Sequence, residues 1–482
     1  MSDIFENEFE ASSQNQDLEK ALEAGYGTDA ASYEQGRALQ REDLEATLVS
    51  VLDVKQADLK VFHKLHKQPV SSTVHQVNRQ TSVGDDEFLF VGEGEKARED
   101  DPKFERKIYE TKYMSSKWQV SHPLTLTDNA ENPINAQKVS AVMRVSKGTE
   151  RTIFHGDSSV SPKQYDGFIK LIEDSANNTN VEEKLRATIM DIRGLQIGES
   201  DTTLGINAGE ELFDEISERV YNKGGDLAEA YFPPVLARQF KDMYSDRLRF
   251  TTKDSQFTMD KLPNIVTAVN STIRITDDCG ADKMFKVKGE IVAAGDATQR
   301  PNTPTSITGV AAAASSSEKS DFTAGFAGEY IYAVHAINAY GISAQVACSA
   351  VTVAEGQKVT LTITPDTNGA EPTGFIITRT NAGGTTLMEM VRIPANGTNP
   401  VTYVDLNADL PGTASIVLLT PSTDEMKPNA SFGQLMGMSN FDLPTDSSLA
   451  HRGVVALYGM LELRAPEYCA MIKNVGFNGG LY

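Results

Sequence analysis

The closing stretch, residues 454 to 477, constrains this chain most. Read as an extended strand, it puts Leu457, Gly459, Leu461 and Leu463 on one face and Tyr458, Met460, Glu462 and Arg464 on the other. Pro466 removes a backbone donor and ends that strand, and a second apolar run, Cys469 to Val475, comes directly after it. The two runs read as a hairpin. A hairpin this apolar has to complete a sheet laid down earlier, so the fold must bring distant segments back to meet its own end.

At 482 residues the chain exceeds one ordinary core, and two or three domains are expected. No apolar run approaches the roughly 18 residues of a membrane span, and the acidic N-terminus shows no signal-peptide pattern. The formal net charge of −22 repels nucleic acid and anionic membranes, so base readout and membrane partners are not expected. Cys279, Cys348 and Cys469 lie far apart without ligand spacing and read as reduced thiols.

Organisation changes along the chain. Residues 1–50 hold twelve acids against three bases, Lys20, Arg37 and Arg41, and carry no packing pattern. A helix is expected from Arg41 to about Lys67, on Leu44, Leu48, Val51 and Leu52. From Ser71 to Gln80 the sequence alternates like a strand. A charged, glycine-bearing tip comes next, and the run from Lys107 through Trp118 reads as the returning strand. An isolated hairpin of this kind needs a partner subunit.

Asn132-Pro133 opens a helix running to His155, with Val139, Val142, Met143, Ile153 and Phe154 on its buried side and Gly156 as the stop. A second helix, 208–222, carries a capping box at Asn207 and Glu210 and buries Leu212, Phe213, Ile216 and Val220. Pro234 opens a third, holding Val235, Leu236, Phe240, Met243 and Tyr244; strands are expected near 265–275 and 285–292. Between Pro301 and Thr420 there are only nine acids and four bases, and short Thr-rich strands recur at turn spacing. That pattern, with the Tyr330–Ser343 run, resembles fibronectin type III or immunoglobulin-like β-sandwiches, set as an insertion in an α/β body.

Chemical motifs are weak. Gly156-Asp157-Ser158 resembles the start of the GDS-type esterase block, yet no histidine here has an Asp three positions upstream. The tripeptide reads instead as a helix stop, with Asp157 capping the next segment. His63 and His66 lack a third metal ligand, and Asp277, Asp278 and Asp282 near Gly280 depart from EF-hand spacing and read as an acidic turn. Gly92-Glu93-Gly94 places acid where phosphate would sit. The mixed charges at 94–112 read equally as a solvated face or as a salt-dependent contact with neighbours. No catalytic, cofactor-binding or metal residue is assigned, no cofactor is expected, and an enzyme is not the expected class.

Several segments together resemble the tailed-phage major capsid proteins with the HK97 fold. Glu150 to Asp157 resembles the end of that family's spine helix. Phe441 to Pro444, Leu449 to His451 and Leu457 to Glu467 look like its closing segment. The resemblance implies an α+β HK97-like capsid fold with P- and A-type domains. Its parts are an acidic N-terminal arm (1–69), an extended E-loop-like hairpin (70–130), core (131–300 and 421–482) containing the long spine helix, and an inserted all-β immunoglobulin-like sandwich (301–420). It implies self-assembly into homo-hexamers and homo-pentamers of an icosahedral shell enclosing double-stranded DNA without sequence-specific binding. Portal, scaffolding and decoration proteins are the further partners, with assembly in the host cytoplasm and a final place in the virion capsid. Some family members crosslink through a Lys–Asn isopeptide bond; no matching motif is present. An encapsulin-like nanocompartment and an adhesive phage structural protein are the alternatives.

Overall fold

The computed structural model describes residues 59–84, 90–96, 99–127, 132–201, 206–209, 211–243, 250–253, 256–259, 264–269, 271–278, 281, 294–295, 297–316, 318–421, 428–444 and 449–476. The expectations for the first 58 residues, the strand at 285–292, Cys279, Gly280, Asp282, Glu210, Tyr244 and Phe477 lie outside the described residues. The chain divides into two compact units, residues 1–52 with 120–136 and residues 53–119 with 137–482. In the smaller unit the short helix His122–Leu126 closes with Thr125 Oγ1 donating to the His122 carbonyl, and Asn132 caps the next helix by accepting from Ile134 N at 3.0 Å.

In the larger unit, a six-stranded sheet runs Asn264–Val266, Thr272–Asp277, Glu229–Phe232, Ala414–Leu419, Ala470–Val475 and Thr188–Asp191. Helices Glu211–Tyr221 and Pro234–Met243 contribute Leu212, Phe213, Ile216, Val220, Leu236 and Phe240 to the same core as this sheet, as the helical spacing requires. Phe213 stacks on Phe232 and meets Phe240 edge to face. The first of these helices starts at Glu211, later than expected. Asn207 spends its side chain on the entry turn instead, accepting from Gly209 N and donating to Glu211 Oε2.

The closing runs are not a hairpin with each other. Ala450–Leu463 pairs antiparallel with Ala430–Leu443 in a second sheet that also contains His66–Pro69 and Lys112–Ser121, whereas Ala470–Val475 lies in the six-stranded sheet. The 3-10 turn Pro466–Tyr468 makes the change of sheet, and Asn429 secures it. Ala465 N donates to Asn429 Oδ1 at 2.7 Å, and Asn429 Nδ2 donates back to the Ala465 carbonyl at 3.1 Å. The preceding chain makes the same switch: Ala414–Leu419 lies in one sheet and Ala430–Leu443 in the other. Both faces of the closing strand are buried, Leu457, Leu461 and Leu463 on one side, Met460 and Glu462 on the other.

The long helix is Pro133–His155. Its buried residues are Ala141, Val145, Ser146, Thr149, Glu150, Ile153 and Phe154, whereas Val139 and Val142, expected inside, are exposed. Two of the polar members bond to the backbone: Thr149 Oγ1 donates to the Val145 carbonyl at 2.8 Å, and Glu150 accepts two backbone N–H groups. Ahead of it, the expected helix to Lys67 covers only Lys60–Lys64 among the described residues; Leu65 turns extended, and His66–Pro69 joins the second sheet.

Between Ala294 and Asp405 a six-stranded, a three-stranded and a two-stranded sheet meet around one apolar core containing Ile307, Tyr332, Val334, Val359, Leu361, Ile363, Phe375 and Ile377. Buried Arg379 sits in that core with Nη1 2.5 Å from Asp405 Oδ2 and Nη2 donating to Asn407 at 2.7 Å, its guanidinium over Tyr330. Ala414–Leu419, counted with this segment from sequence, is instead a strand of the six-stranded sheet, because its alternate residues Ile416 and Leu418 complete the other core.

Gly459 permits a close strand approach in the second sheet. A Cβ there would lie 2.4 Å from Phe432 Cε1 and 2.6 Å from the Gly433 carbonyl. Gly459→Ala should destabilise the protein by about 1–3 kcal/mol in urea unfolding through overpacking; an unchanged midpoint would mean that the strands are free to part.

Candidate assembly site

Strands Val74–Ser82 and Lys103–Glu110 form an antiparallel hairpin. The expected return strand is interrupted at Thr111, which is buried and donates its N–H to the Thr73 carbonyl; Lys112–Ser121, with Trp118, belongs to the second sheet. Trp118 lies against Gly453, and its Nε1 donates to Asn440 Oδ1 at 2.9 Å.

Register places His75 opposite Tyr109, Val77 opposite Lys107 and Arg79 opposite Glu105. Side chains alternate across a strand, so these six share one face. The contacts show that this face meets the closing segment. Arg79 Nη1 reaches Glu467 at 2.8 Å, its Nε and Nη2 reach Glu105 at 2.9 and 2.6 Å, and the Tyr109 hydroxyl donates to the Leu463 carbonyl. His75 Nε2 stands 3.7 Å from Glu462 Oε1. Glu462, fully buried, also accepts from Ser431 Oγ at 3.1 Å, while Arg464 donates to Gln68. Burial opposes the charge on Arg79, but Glu467 and Glu105 outweigh it and hold the guanidinium above its ordinary value. Burial also raises the Tyr109 phenol well above the usual range.

The other face carries Val74, Gln76, Asn78 and Gln80 beside Phe104, Arg106, Ile108 and Glu110. Phe104 is 70% exposed and Ile108 61%. Phe90, toward the tip, is fully exposed. The hairpin thus turns Arg79 and Tyr109 to its own body and leaves Phe104 and Ile108 bare on the other face, beside Arg106 and Glu110.

The mixed charges at 94–112, evenly balanced between two readings in the sequence, therefore divide by strand face. In the closing segment, Glu462, Arg464 and Glu467 are plain strand or turn positions by sequence, and all three are buried in this junction. Their signal is present: ionisable residues inside an apolar run are rarely buried without partners.

The remaining motifs have structural uses. Gly156 ends the long helix, and a Cβ there would lie 2.2 Å from the Tyr165 carbonyl. Asp157 accepts from Ser159 N at 2.9 Å, and Ser158 N donates to Asp166 at 2.8 Å, so the tripeptide builds a turn. Asp277 pairs with Lys60, and Asp278 is buried against Glu150, which gives this acidic turn a tertiary role that its local sequence does not display. Among the described residues, no group of three or more His, Cys, Asp or Glu is placed to hold a metal, and no helix is long and apolar enough to cross a membrane. Burial raises the Cys469 thiol to about 12.

No family model matches this chain. Curated relatives do. The chain is 24% identical over 488 residues to the major capsid protein of Staphylococcus phage S25-3, covering 96% of this chain and 95% of that one. The major capsid protein of Staphylococcus phage K aligns with the same identity and coverage. A protein of Enterococcus phage phiEF24C assigned as its major capsid protein is 25% identical over 499 residues, 99% of this chain and 98% of that one. The likeness is to phage major capsid proteins, end to end. Solved structures align more distantly. The capsid of cyanophage P-SCSP1u matches with a TM-score of 0.43 and 9% identity, covering 92% of this chain and 95% of that chain. The SrpI encapsulin complex of Synechococcus elongatus PCC 7942 matches at 0.37 and 10%, covering 95% and 99%. These likenesses are too distant to build on.

Lys107 gives the junction a pH signature. Burial first, and the charge of Arg79 second, lower its amine to about 8. The unfolded chain then holds more protons between about 8 and the ordinary 10.5, so this group makes stability rise with pH across that window. Lys107→Met, which keeps the stem, should stabilise the protein by roughly 1–2 kcal/mol at pH 7, a gain that shrinks toward pH 10. Urea unfolding at both pH values checks it; a loss of stability at pH 7 would sink the account.

Proposed function

We infer that this chain is the major capsid protein of a tailed bacteriophage, building an icosahedral shell from many copies of itself. The observation that carries the reading is the likeness to phage major capsid proteins over 95% or more of both chains. The full-length curated relatives favour a phage shell over a nanocompartment.

Within that reading the finer assignments are ours. The chain has an HK97-like fold and forms homo-hexamers and homo-pentamers around double-stranded DNA. The net charge of −22 supports a wall that contains the genome without binding it by sequence. Residues 74–110 act as the extended loop that lies over an adjacent subunit; bare Phe104 and Ile108 support this, since burying each would contribute about 1.5–3 kcal/mol. The segment near 301–413 is an immunoglobulin-like module inserted in the body and facing outward, supported by its all-strand sheets packed around one core. Portal, scaffolding and decoration proteins are the further partners, and assembly takes place in the host cytoplasm. The role is structural, not enzymatic, which agrees with the use of Gly156, Asp157 and Ser158 in a turn.

Electron microscopy of the full chain tests the main reading, with shells, capsomers or sheets expected across a range of salt and in the presence of the scaffolding protein; discrete monomers throughout would count against it. For the hairpin, Phe104→Asp combined with Ile108→Asp should leave subunit stability within about 0.5 kcal/mol, because both side chains are exposed. The same pair should abolish assembled particles. Particles at wild-type yield would remove the hairpin from the contact.

A further inference from the structure

Glu150 lies in the long helix with 1% of its surface exposed, beside the short helix Lys60–Lys64. Its Oε1 accepts from Val61 N at 2.6 Å and its Oε2 from Phe62 N at 3.4 Å. These are first-turn N–H groups, which have no partner within their own helix. The Glu150 carboxyl also lies beside that of Asp278, 3% exposed, which directly follows strand Thr272–Asp277. Two adjacent buried carboxyls cannot both ionise without confining two negative charges in a medium of low dielectric, which favours a form in which the pair holds one proton.

The groups around the pair leave that proton in place. Tyr231, on strand Glu229–Phe232, and Tyr165, after the long helix, are buried phenols, and the Tyr231 hydroxyl is taken by Glu229. The lysines of the short helix are engaged elsewhere. Lys60 Nζ donates to the Asp277 carbonyl at 2.8 Å and lies 3.5 Å from its carboxylate, while Lys64 Nζ donates to Thr276 Oγ1 at 2.7 Å and stands 3.7 Å from Glu229.

We propose that the proton shared by Glu150 and Asp278 is a latch, fastening residues 60–64 to the body more tightly as the medium becomes more acidic. The latch belongs to the single subunit, so it stands or falls independently of shell assembly. Burial first, and Asp278 second, keep the Glu150 carboxyl protonated up to about 9. When residues 60–64 lift away, water reaches the carboxyl, its ordinary acidity returns, and the proton leaves. Opening therefore releases one proton, and the opening constant should rise about tenfold per pH unit between the ordinary carboxylate range and that value.

Hydrogen–deuterium exchange of the full chain reads this directly, followed at Val61 and Phe62 from pH 5.5 to 8.5 and corrected for intrinsic exchange. Protection in the wild type should fall about tenfold per unit. Glu150→Gln keeps an oxygen for the two N–H groups and offers Asp278 a permanent donor, so its protection should be flat over the same range. Asp278→Asn removes the second negative charge and should reduce the slope, giving an independent reading if the first variant folds poorly. Wild-type protection that does not vary with pH, or a wild-type slope retained in both variants, overturns the latch.

Discussion

The six-stranded sheet that contains Ala470–Val475 and the second sheet are joined at one hydrogen-bonded corner. Asn429, fully buried, accepts from Ala465 N and donates to its carbonyl, and its own carbonyl accepts from Arg464 N at 3.0 Å. Thr420 Oγ1 adds a bond to the Tyr468 carbonyl at 2.6 Å. Two chain passages, 414–443 and 450–475, change sheets there, and each is the antiparallel partner of the other on both sides of the change. Without Asn429 the peptide groups at the turn would be buried without partners, at about 1–3 kcal/mol each. The corner therefore converts what would be two separate sheets into one body.

The hairpin inherits its position from the same corner. Glu467, in the turn just after Ala465, is the carboxylate that holds Arg79, and the Leu463 carbonyl two residues before Ala465 takes the Tyr109 hydroxyl. A two-stranded hairpin is marginal alone. Here its inner face is fastened by charge-assisted bonds that need correct geometry on both sides, while apolar packing there is slight. Such pairs are weak contributors to stability once desolvation is counted, yet costly to break singly. They fix the direction in which the hairpin leaves the body more than they add to the total stability.

Much of this is legible in the sequence. The long helix, the two amphipathic helices, the strands of the 301–420 segment and the alternating arm at 74–82 all come from periodicity, because each buries one regular face. The places where a chain changes partner are not legible. The two closing runs look like a hairpin because each is apolar and a proline separates them; only the distant Asn429 decides that they enter different sheets. The inside of the long helix escapes periodicity for a related reason. Ser146, Thr149 and Glu150 are polar and Val139 and Val142 are not, but Thr149 and Glu150 have hydrogen-bond partners inside and the valines do not need to be there. Asp278 likewise looks like part of an acidic turn, since nothing near it in sequence names Glu150 as its neighbour.

The same logic separates the contacts that the subunit satisfies internally from those it leaves to others. Glu462, Glu467, Arg79 and Arg379 are largely or fully buried, and each has an opposite charge or an ionisable histidine within 4 Å. Phe104 and Ile108 are the reverse case, large exposed apolar groups set on a strand whose other face turns Tyr109 to the body. Turning the hairpin over by a one-residue shift in register would bring them to the body only by expelling Arg79 and Tyr109 into water. Their exposure is thus imposed by the contacts on the opposite face. The lowest-cost cover left is another surface brought to them, which is what a chain that assembles with its own copies supplies.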